Sequence, residues 1–470
     1  MAAHQGRGER VAYLLLEVNL PPDFLSLMRG QLGEARAAAL CDALCTTEPV
    51  VSVRFNPGKG LRYLPSLASV PWCPDACYLE ERPAFTFDPQ LHAGAYYVQE
   101  ASSMFLGQAV QHYMSSATTV LDLCAAPGGK STLLRALLPS GALLVCNEPV
   151  ARRAQILAEN MTKWGHPSTV VTQNLPVDFA PLRHVFDVIV ADVPCSGEGM
   201  FRKDAEAVTE WSMQNVLMCQ ERQRGILADV WPALKPGGLL VYSTCTFNHL
   251  EDEDNVEWIC RELGAEVMSL PCDASWGITG HYHFLPDTAR GEGFFLCVLR
   301  KSDDEPLLSA PAVKERRPKP GREQPFPAAL RAWVQGDFDF MVESDAAIAF
   351  PSSHASLRPL LHRHLHVLSE GVRLADLKGT AWQPAHALAV SQSLVRGTFP
   401  EAELAYDQAL AYLRREAIPV DAPPGHVLVT FRGLPLGFVK NLGPRANNLY
   451  PAEWRIRSGF TTPFVLSASL

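Results

Sequence analysis

Between residues 119 and 299, short apolar segments alternate with longer stretches of helical pattern. This alternation constrains the fold more than any other feature of the chain, because it is typical of a parallel α/β sheet. Ligands of such sheets bind outside the carboxyl ends of the strands, so we expect the functional residues there. The predicted strands are 120–123, 142–148, 168–172, 186–192, 239–243 and 293–299, with helices at 152–163 and 212–234.

The regions on either side of this alternation differ from it in composition. Residues 1–108 mix helical patterns with short extended pieces, which predicts a small α+β domain. Residues 303–327 are rich in proline and charge, which is typical of a linker. Residues 328–470 form a further α+β region. The end of that region is net basic within an acidic chain, through Arg432, Lys440, Arg445, Arg455 and Arg457.

Composition excludes several classes of protein. The chain has 41 basic and 50 acidic residues, a formal charge of −9, which argues against nonspecific coating of nucleic acid. Twelve cysteines in 470 residues are too few for a disulfide scaffold and favour a reducing cytoplasm. No apolar run is long enough for a transmembrane helix, so we expect no membrane partner. The pairs Cys41/Cys45 and Cys73/Cys77 lack a histidine at ligand spacing, so we expect no metal site.

The first predicted strand runs into a glycine-rich turn at 122–131 (DLCAAPGGKS), and a helix begins near Ser131. Small residues let the backbone approach a ligand, and the N-terminus of the helix offers free N–H groups. Cys124 stands where a P-loop needs glycine, and the dinucleotide pattern G-x-G-x-x-G is absent. Glu148 ends the second strand, where a carboxylate can accept both hydroxyls of a ribose. Together the turn and Glu148 predict a ligand that contains a ribose.

Two further motifs, DVPCSGEG at 192–199 and STCTF at 243–247, follow the next strands of the predicted sheet. Each places one cysteine, Cys195 or Cys245, among small polar residues at the carboxyl edge. A free cysteine is more often a small buried hydrophobic residue, and we expect this of the other ten. We expect Cys195 and Cys245 to be functional.

In this order and spacing, the motifs at 122–131, 192–199 and 243–246 resemble those of the Nop/Sun family of RNA cytosine-5 methyltransferases. The resemblance is strong from about residue 95 to 300. The chain length and a segment that looks like a PUA-type RNA-binding module, 427–457, further resemble the bacterial branch that modifies 16S ribosomal RNA.

The resemblance implies a Rossmann-like, class I S-adenosylmethionine-dependent methyltransferase domain. It would be flanked by a small N-terminal α+β domain that assists in RNA binding and by a C-terminal α+β RNA-binding region. The implied boundaries are 1–108 for the N-terminal domain, 109–302 for the catalytic domain, 303–327 for the linker and 328–470 for the C-terminal region, with the PUA-like module near 405–470.

The resemblance also implies which residues bind the cofactor, S-adenosylmethionine. Glu148 would bind its ribose, with Arg153 nearby. One position departs from the family pattern, since Leu175 stands where the family often has an acid that contacts adenine, and Asn174 is the expected substitute. The residues implied to hold the amino-acid part of the cofactor are Cys124, Ala125, Ala126, Pro127, Gly128, Gly129 and Lys130.

For the reaction, the resemblance implies covalent catalysis. The Cys245 thiolate would add to C6 of cytosine, which makes C5 nucleophilic enough to accept the methyl group. Cys195 would help to release the product. Asp192 would lie between cofactor and base, and Lys130 would orient it.

Other functions remain open on the sequence. The chain could methylate another RNA such as tRNA. It could also methylate a protein or small molecule, although enzymes of that class often carry Asn-Pro-Pro-Tyr where this chain has 192–195 and need no paired cysteines. It could also be a noncatalytic ribosome-assembly factor that kept the fold, although loss of Cys245 would have favoured that role. We predict a cytoplasmic, monomeric enzyme whose partner is 16S ribosomal RNA.

Three further features of the chain carry local expectations. We expect the acidic run at 251–254 to cap a helix and support a loop. We expect the histidine-rich segment 358–366 to form a strand with a basic face. We also expect removal of the chain beyond about residue 320 to leave cofactor affinity unchanged, because every proposed cofactor ligand lies upstream of it.

Overall fold

The structure is a computed structural model that describes residues 19–61, 67–278, 282–304, 325–459 and 462–466. The predicted linker at 303–327 lies for the most part outside the described residues. Among the helices that the structure describes, none is both long and apolar enough to cross a membrane.

Helices and a four-stranded antiparallel sheet form the N-terminal region, with the strand order β2–β3–β1–β4. Its elements are α1 (Pro22–Leu32), α2 (Glu34–Thr46), β1 (Val51–Phe55), β2 (Ser69–Val70), β3 (Cys73–Leu79), α3 (Pro89–His92) and β4 (Tyr96–Val98). Arg54 on β1 is buried and points toward the central domain, where Nη2 donates to the Thr132 hydroxyl at 2.7 Å and to the Gly129 carbonyl at 3.2 Å. The N-terminal sheet is therefore tied to the start of the helix that follows the glycine-rich turn.

The central region confirms the predicted alternation of strands and helices. Its helices are α4 (Leu106–Tyr113), α5 (Gly129–Leu137), α6 (Ala151–Trp164), α7 (Ala205–Glu210), α8 (Met213–Val230) and α9 (Glu253–Leu263). Its strands are β5 (Thr119–Asp122), β6 (Leu143–Asn147), β7 (Thr169–Thr172), β8 (Phe186–Asp192), β9 (Leu234–Thr244), β10 (Ala265–Met268), β11 (His283–Phe284) and β12 (Phe294–Lys301).

These strands pair in the order β10–β12–β9–β8–β5–β6–β7, with β11 beside β12. The five strands from β9 to β7 are parallel, and β12 is antiparallel to β9. Successive residues of β5 are buried in different cores, with Val120 on one face of the sheet and Leu121 on the other. Burial on both faces explains why these strands are continuous apolar runs in the sequence.

The C-terminal region contains two smaller sheets, ordered β13–β14–β16–β17 and β18–β19–β20–β21. Its strands are β13 (Phe338–Glu343), β14 (Ala346–Pro351), β15 (Val367–Glu370), β16 (Val372–Lys378), β17 (Ala381–Pro384), β18 (Glu401–Glu403), β19 (Gly425–Phe431), β20 (Leu434–Asn441) and β21 (Ala446–Asn448). Its helices are α10 (Arg358–His364), α11 (His386–Ala389) and α12 (Tyr406–Leu413).

The prediction of a strand at 358–366 is wrong, because α10 occupies most of it. Pro359 lies in the first turn, where its missing N–H leaves no bond unmade. The adjacent residues Leu360 and Leu361 are both buried in one core, which a helix allows and a strand does not, since neighbours on a strand point to opposite faces.

One strand of the C-terminal region belongs to the central sheet. β15 pairs antiparallel with β7 and becomes the ninth strand of that sheet, at its edge. The hydrogen bonds continue past the strand, because the Gln173 N–H donates to the His366 carbonyl at 3.0 Å. The C-terminal region is thus joined to the central domain through the backbone.

Candidate functional site

The glycine-rich turn joins β5 to α5 at the carboxyl edge of the sheet. Gly128 has a φ of +113°, a conformation that favours glycine, and α5 begins at Gly129, two residues earlier than expected. The first N–H groups of a helix have no partner within it, so those of α5 face the turn. Asp122 lies beneath, where burial raises its pKa to about 7. Its Oδ2 accepts from the Ser131 hydroxyl at 2.7 Å, and within the described part of the chain its Oδ1 accepts no hydrogen bond.

Glu148 follows β6, next to the turn, and its side chain is almost fully buried. Its Oε1 accepts the Val150 N–H at 2.9 Å, and its Oε2 lies 3.4 Å from Nη2 of Arg153. The same nitrogen of Arg153 donates to the Ala126 carbonyl at 3.1 Å. Arg153 therefore links the carboxylate at the end of β6 to the glycine-rich turn.

Asp192 ends β8 and is held from two sides. Its Oδ2 accepts from Nζ of Lys130 at 2.8 Å, and its Oδ1 accepts from the Ser243 hydroxyl at 2.8 Å. Burial of the Lys130 ammonium disfavours its charge, but the Asp192 carboxylate outweighs burial, and the pKa of Lys130 is raised. The Lys130 ammonium therefore keeps its charge at neutral pH and stays hydrogen-bonded to Asp192.

The two cysteines selected from the sequence are in contact. Because β8 and β9 are parallel neighbours with Asp192 opposite Ser243, the loops after both strands leave the sheet side by side. The sulfur atoms of Cys195 and Cys245 are 3.1 Å apart. The hydrogen bond with Cys245, followed by burial, raises the pKa of the Cys195 thiol well above its usual value. The structure thus brings Lys130, Asp192 and both cysteines to one edge of the sheet.

Buried carboxylates support the loops that carry these cysteines. Glu251 is fully buried, and its Oε2 accepts the Ser196 N–H at 3.0 Å and Nε2 of Gln223 at 2.7 Å. The expectation that the acidic run supports a loop is confirmed, and Glu253 and Asp254 lie in the first turn of α9. The expected cap is wrong, because Asp252 stands at the N-cap but its side chain makes no capping hydrogen bond and accepts from the Thr244 hydroxyl instead.

Asn174 and Leu175 follow β7, beside the turn after β6. The side-chain oxygen of Asn174 accepts the His366 N–H at 3.0 Å, and its Nδ2 donates to Asp178 at 3.2 Å. The Leu175 side chain is exposed. A carboxylate that sequence spacing did not single out, Asp178, therefore lies at this end of the site, three residues beyond the position of the missing acid.

Two other contacts to the site come from distant parts of the chain. Arg54 reaches the start of α5 from the N-terminal sheet, and the His366 backbone reaches Asn174 from the C-terminal region. Arg54 lies in no motif, and His366 lies in the histidine-rich segment 358–366 but makes this contact through its backbone only. Sequence spacing therefore carries no signal for either of them.

Five parallel strands with an antiparallel strand beside β9, and a glycine-rich turn after β5, define a Rossmann-like methyltransferase. Three family models match the chain: 16S rRNA methyltransferase RsmB/F at residues 113–300, the N-terminal domain of 16S rRNA methyltransferase RsmF at 20–101, and the methyltransferase RsmF PUA domain at 399–456. The chain belongs to the RsmB/F family of 16S rRNA methyltransferases. It is therefore an RNA methyltransferase with a PUA RNA-binding domain.

Individual relatives agree with the family models. The chain is 33% identical over 413 residues to ribosomal RNA small subunit methyltransferase F of Salmonella paratyphi A, covering 83% of this chain and 85% of the relative. It is 32% identical over 481 residues to the protein of the same name from Cronobacter sakazakii, covering 95% and 98%. The alignment with the second relative includes all three regions of the fold.

Two solved structures share the fold. NSun6 from Pyrococcus horikoshii, determined with SFG, is 19% identical with a TM-score of 0.51, covering 62% of this chain and all of that one. The structure titled PH0851 is 22% identical with a TM-score of 0.53, covering 60% of this chain and 66% of that one. The predicted Nop/Sun resemblance and fold class are confirmed.

Proposed function

We propose that this enzyme transfers a methyl group from S-adenosylmethionine to C5 of cytosine in 16S ribosomal RNA, in the cytoplasm. The observation that carries the proposal is the pair of thiols 3.1 Å apart at the carboxyl ends of adjacent strands, beside the Asp192–Lys130 pair. A methyltransferase that used no covalent intermediate would have no need of two cysteines there. Cys245 would serve as nucleophile and Cys195 in product release.

The residues beside the turn fit the proposed cofactor. S-adenosylmethionine carries an amino-acid end, a ribose and an adenine. The open N–H groups of α5 and the small residues from Ala125 to Gly129 suit the first, and the Glu148 carboxylate suits the ribose hydroxyls. The segment after β7, with Asn174 and Asp178, would lie toward the adenine. When bound, the cofactor supplies an electrophilic methyl group on sulfur.

The protein residues would then act on the base as follows. The Cys245 thiolate adds to C6, and the C5=C6 electron pair moves toward C5, which takes the methyl group. C5 then loses its proton to water, the C–H electron pair re-forms the C5=C6 double bond, and the C6–S bond breaks with its electron pair leaving on sulfur as the Cys245 thiolate. Asp192 would hold the polar edge of the cytosine in place for the adduct, and Lys130 would hold the Asp192 carboxylate at 2.8 Å.

The RNA must present its target base outside a stack, at a cost of a few kcal/mol. We expect the C-terminal basic residues to help, and their exposure supports this: Arg432, Lys440, Arg445, Arg455 and Arg457 are all exposed. Phosphate contacts of this kind position a nucleic acid without reading its bases. The bases of the RNA would then be recognised in the central domain.

Two experiments test the proposal. Bisulfite sequencing of 16S ribosomal RNA from a strain lacking the gene should show one or more cytosines that have lost their resistance to deamination. The wild-type gene should restore that resistance. Cys195→Ala should trap RNA on Cys245, seen as a retarded band on a denaturing gel with labelled RNA. A strain with unchanged 16S methylation would refute the substrate, and absence of the band while the wild type turns over would refute the release role.

A further inference from the structure

Behind the two cysteines lies a group of buried carboxylates with few positive charges among them. Glu198, Glu251 and Asp252 are all fully buried. Among the described residues, Glu198 and Glu251 accept hydrogen bonds only from neutral groups, such as the Trp211 indole at 3.0 Å and the Asn248 amide at 2.9 Å. In the described part of the chain, neither of these glutamates nor Asp252 forms an ion pair with lysine or arginine. Buried anions without a counter-charge are strongly unfavourable.

One of these carboxylates, Asp252, belongs to a compact three-residue cluster. Ligand atoms of Asp252, Glu253 and His283 all lie within 4.8 Å of one another. Nε2 of His283 is 2.7 Å from Oε1 of Glu253, and its Nδ1 is 3.9 Å from Oδ2 of Asp252. That Oδ2 is buried and accepts no hydrogen bond from the described residues. Asp252 therefore directs a desolvated oxygen into a space shared by a second carboxylate and an imidazole.

We propose that Asp252, Glu253 and His283 bind one divalent transition-metal ion. A 2+ ion would give the buried Oδ2 of Asp252 the positive partner that it lacks among the described residues, while the imidazole binds as a neutral ligand. Mixed nitrogen and oxygen ligands suit Zn²⁺ and its neighbours better than Ca²⁺ or Mg²⁺, which prefer oxygen alone. With ligand bonds of about 2.0–2.2 Å, one ring nitrogen of His283 would bind the ion and the two carboxylates would move toward that nitrogen. The cysteine pairs Cys41/Cys45 and Cys73/Cys77 take no part.

The ion would stabilise the loop of the proposed nucleophile from behind. Oδ1 of Asp252 accepts from the Thr244 hydroxyl at 2.6 Å, and Thr244 immediately precedes Cys245. His283 lies on β11, which pairs with β12, so one ion would join the start of α9, the end of β9 and the antiparallel edge of the sheet. The role is one of positioning. It does not depend on which base the enzyme methylates.

The test uses the untagged full-length protein, stripped with a chelator and dialysed. Titration with ZnCl₂ by calorimetry and metal analysis after desalting should give one ion per chain. Titration with Co²⁺ should give visible d–d absorption without the near-ultraviolet band of thiolate coordination, which separates this site from binding at the twelve cysteines. Metal binding should also raise the melting temperature.

Variants locate the ion. His283→Gln and Asp252→Asn should weaken Zn²⁺ affinity by at least about 100-fold. The matched control is His249→Gln, because His249 forms an exposed pair with Asp254 at 3.2 Å on the same segment, and its affinity should equal that of the wild type. The proposal is wrong if the wild type binds no ion or shows only thiolate-type Co²⁺ absorption. It is also wrong if His283→Gln binds Zn²⁺ with the affinity of the wild type, and the cluster then holds a proton in place of an ion. The wild-type measurements decide the question even if a variant fails to fold.

Discussion

The carboxylates on the glycine-rich-turn side of the two cysteines and those on the opposite side have their negative charge balanced in different ways. We call these two sides the front and the back of the cysteine pair. On the front, toward the glycine-rich turn, Asp192 pairs with Lys130 and Glu148 pairs with Arg153. Behind the cysteines, Glu198 and Glu251 are held by amides, an indole and backbone N–H groups. Asp192 keeps about a third of its side chain exposed, at 29%, whereas Glu251 is wholly buried.

This difference indicates that the carboxylates on the front act mainly in the reaction and that those behind the cysteines mainly stabilise the fold. An ionised pair that is partly exposed can exchange partners when a ligand enters, so its loss affects chemistry more than folding. A buried carboxylate surrounded by fixed donors holds backbone in place, so its loss leaves donors unsatisfied and affects folding first. Substitutions on the two sides should therefore separate activity from stability.

The largest effect is expected at the boundary between the two sides. Cys245→Ala should lower methylation by about 10³-fold or more, because it removes the proposed nucleophile. Cofactor binding, measured by calorimetry, should survive. Cys260→Ala, at a half-buried cysteine on α9, is the matched control and should retain activity. If cofactor binding is lost together with activity, Cys245 has a structural role instead.

On the front, Asp192→Asn should lower kcat by about 10²-fold, because it removes the negative charge beside the Lys130 ammonium and weakens the proposed contact with the base. The melting temperature should change little. Asp187→Asn is the control, since Asp187 pairs with Lys235 at the other end of the same strand. Equal losses of activity in the two variants would show that the Lys130–Asp192 pair only stabilises β8 and has no role of its own in the reaction.

Asp122 lies on the front but is buried, and it should make stability depend on pH. Its folded-state pKa of about 7 exceeds the usual 3.8, so folding favours the protonated form. The resulting stabilisation is complete below about pH 4 and is lost as the pH rises through about 7. As the pH rises between those values, the free energy of unfolding of the wild type, measured with urea, should fall by up to about 4 kcal/mol relative to that of Asp122→Asn. Parallel pH profiles would contradict the assignment.

Behind the cysteines, Glu251→Gln should lower the free energy of unfolding by about 1–3 kcal/mol, since an amide cannot accept from all the donors that face it. Activity per folded molecule should fall less than in Asp192→Asn. Glu262→Gln, at an exposed residue paired with Arg261, should leave both quantities unchanged. A Glu251→Gln protein of full stability and low kcat would remove the distinction between the two sides.

The smallest effect concerns the RNA-binding surface. Arg455→Gln with Arg457→Gln should flatten the salt dependence of RNA affinity by about 0.7 log units per log salt for each phosphate that the variant no longer neutralises. Cofactor affinity should not change. Filter binding at several salt concentrations measures the slope, with Arg261→Gln as an exposed control on α9. An unaltered slope would place the phosphate-binding residues elsewhere on the protein.

Sequence patterns predicted the central strands and the residues at their ends, because buried parallel strands are continuous apolar runs and their carboxyl ends meet at one edge. They did not predict contacts between distant segments. The hydrogen bond from Arg54 to α5 and the pairing of β15 with β7 depend on how separate regions pack. The wrong prediction at 358–366 has the same cause, since burial against the central sheet favours α10.

The pairing of β15 also bears on the expectation that cofactor affinity survives removal of the C-terminal region. Truncation near residue 320 would remove β15 and the backbone contacts of His366 with Gln173 and Asn174, at the adenine end of the proposed cofactor site. Surface substitutions such as those at Arg455 and Arg457 leave that edge intact. They are therefore the better way to separate RNA binding from cofactor binding.

The position of β15 has a consequence for the synthesis of the protein. The outer backbone groups of β7 stay unpaired until the ribosome has made residues 367–370 and they have left its exit tunnel. An open strand edge is a template for pairing with other chains. The nascent chain therefore carries an exposed, apolar sheet edge through the production of the linker and the first C-terminal sheet, which is the period when a chaperone would protect it most.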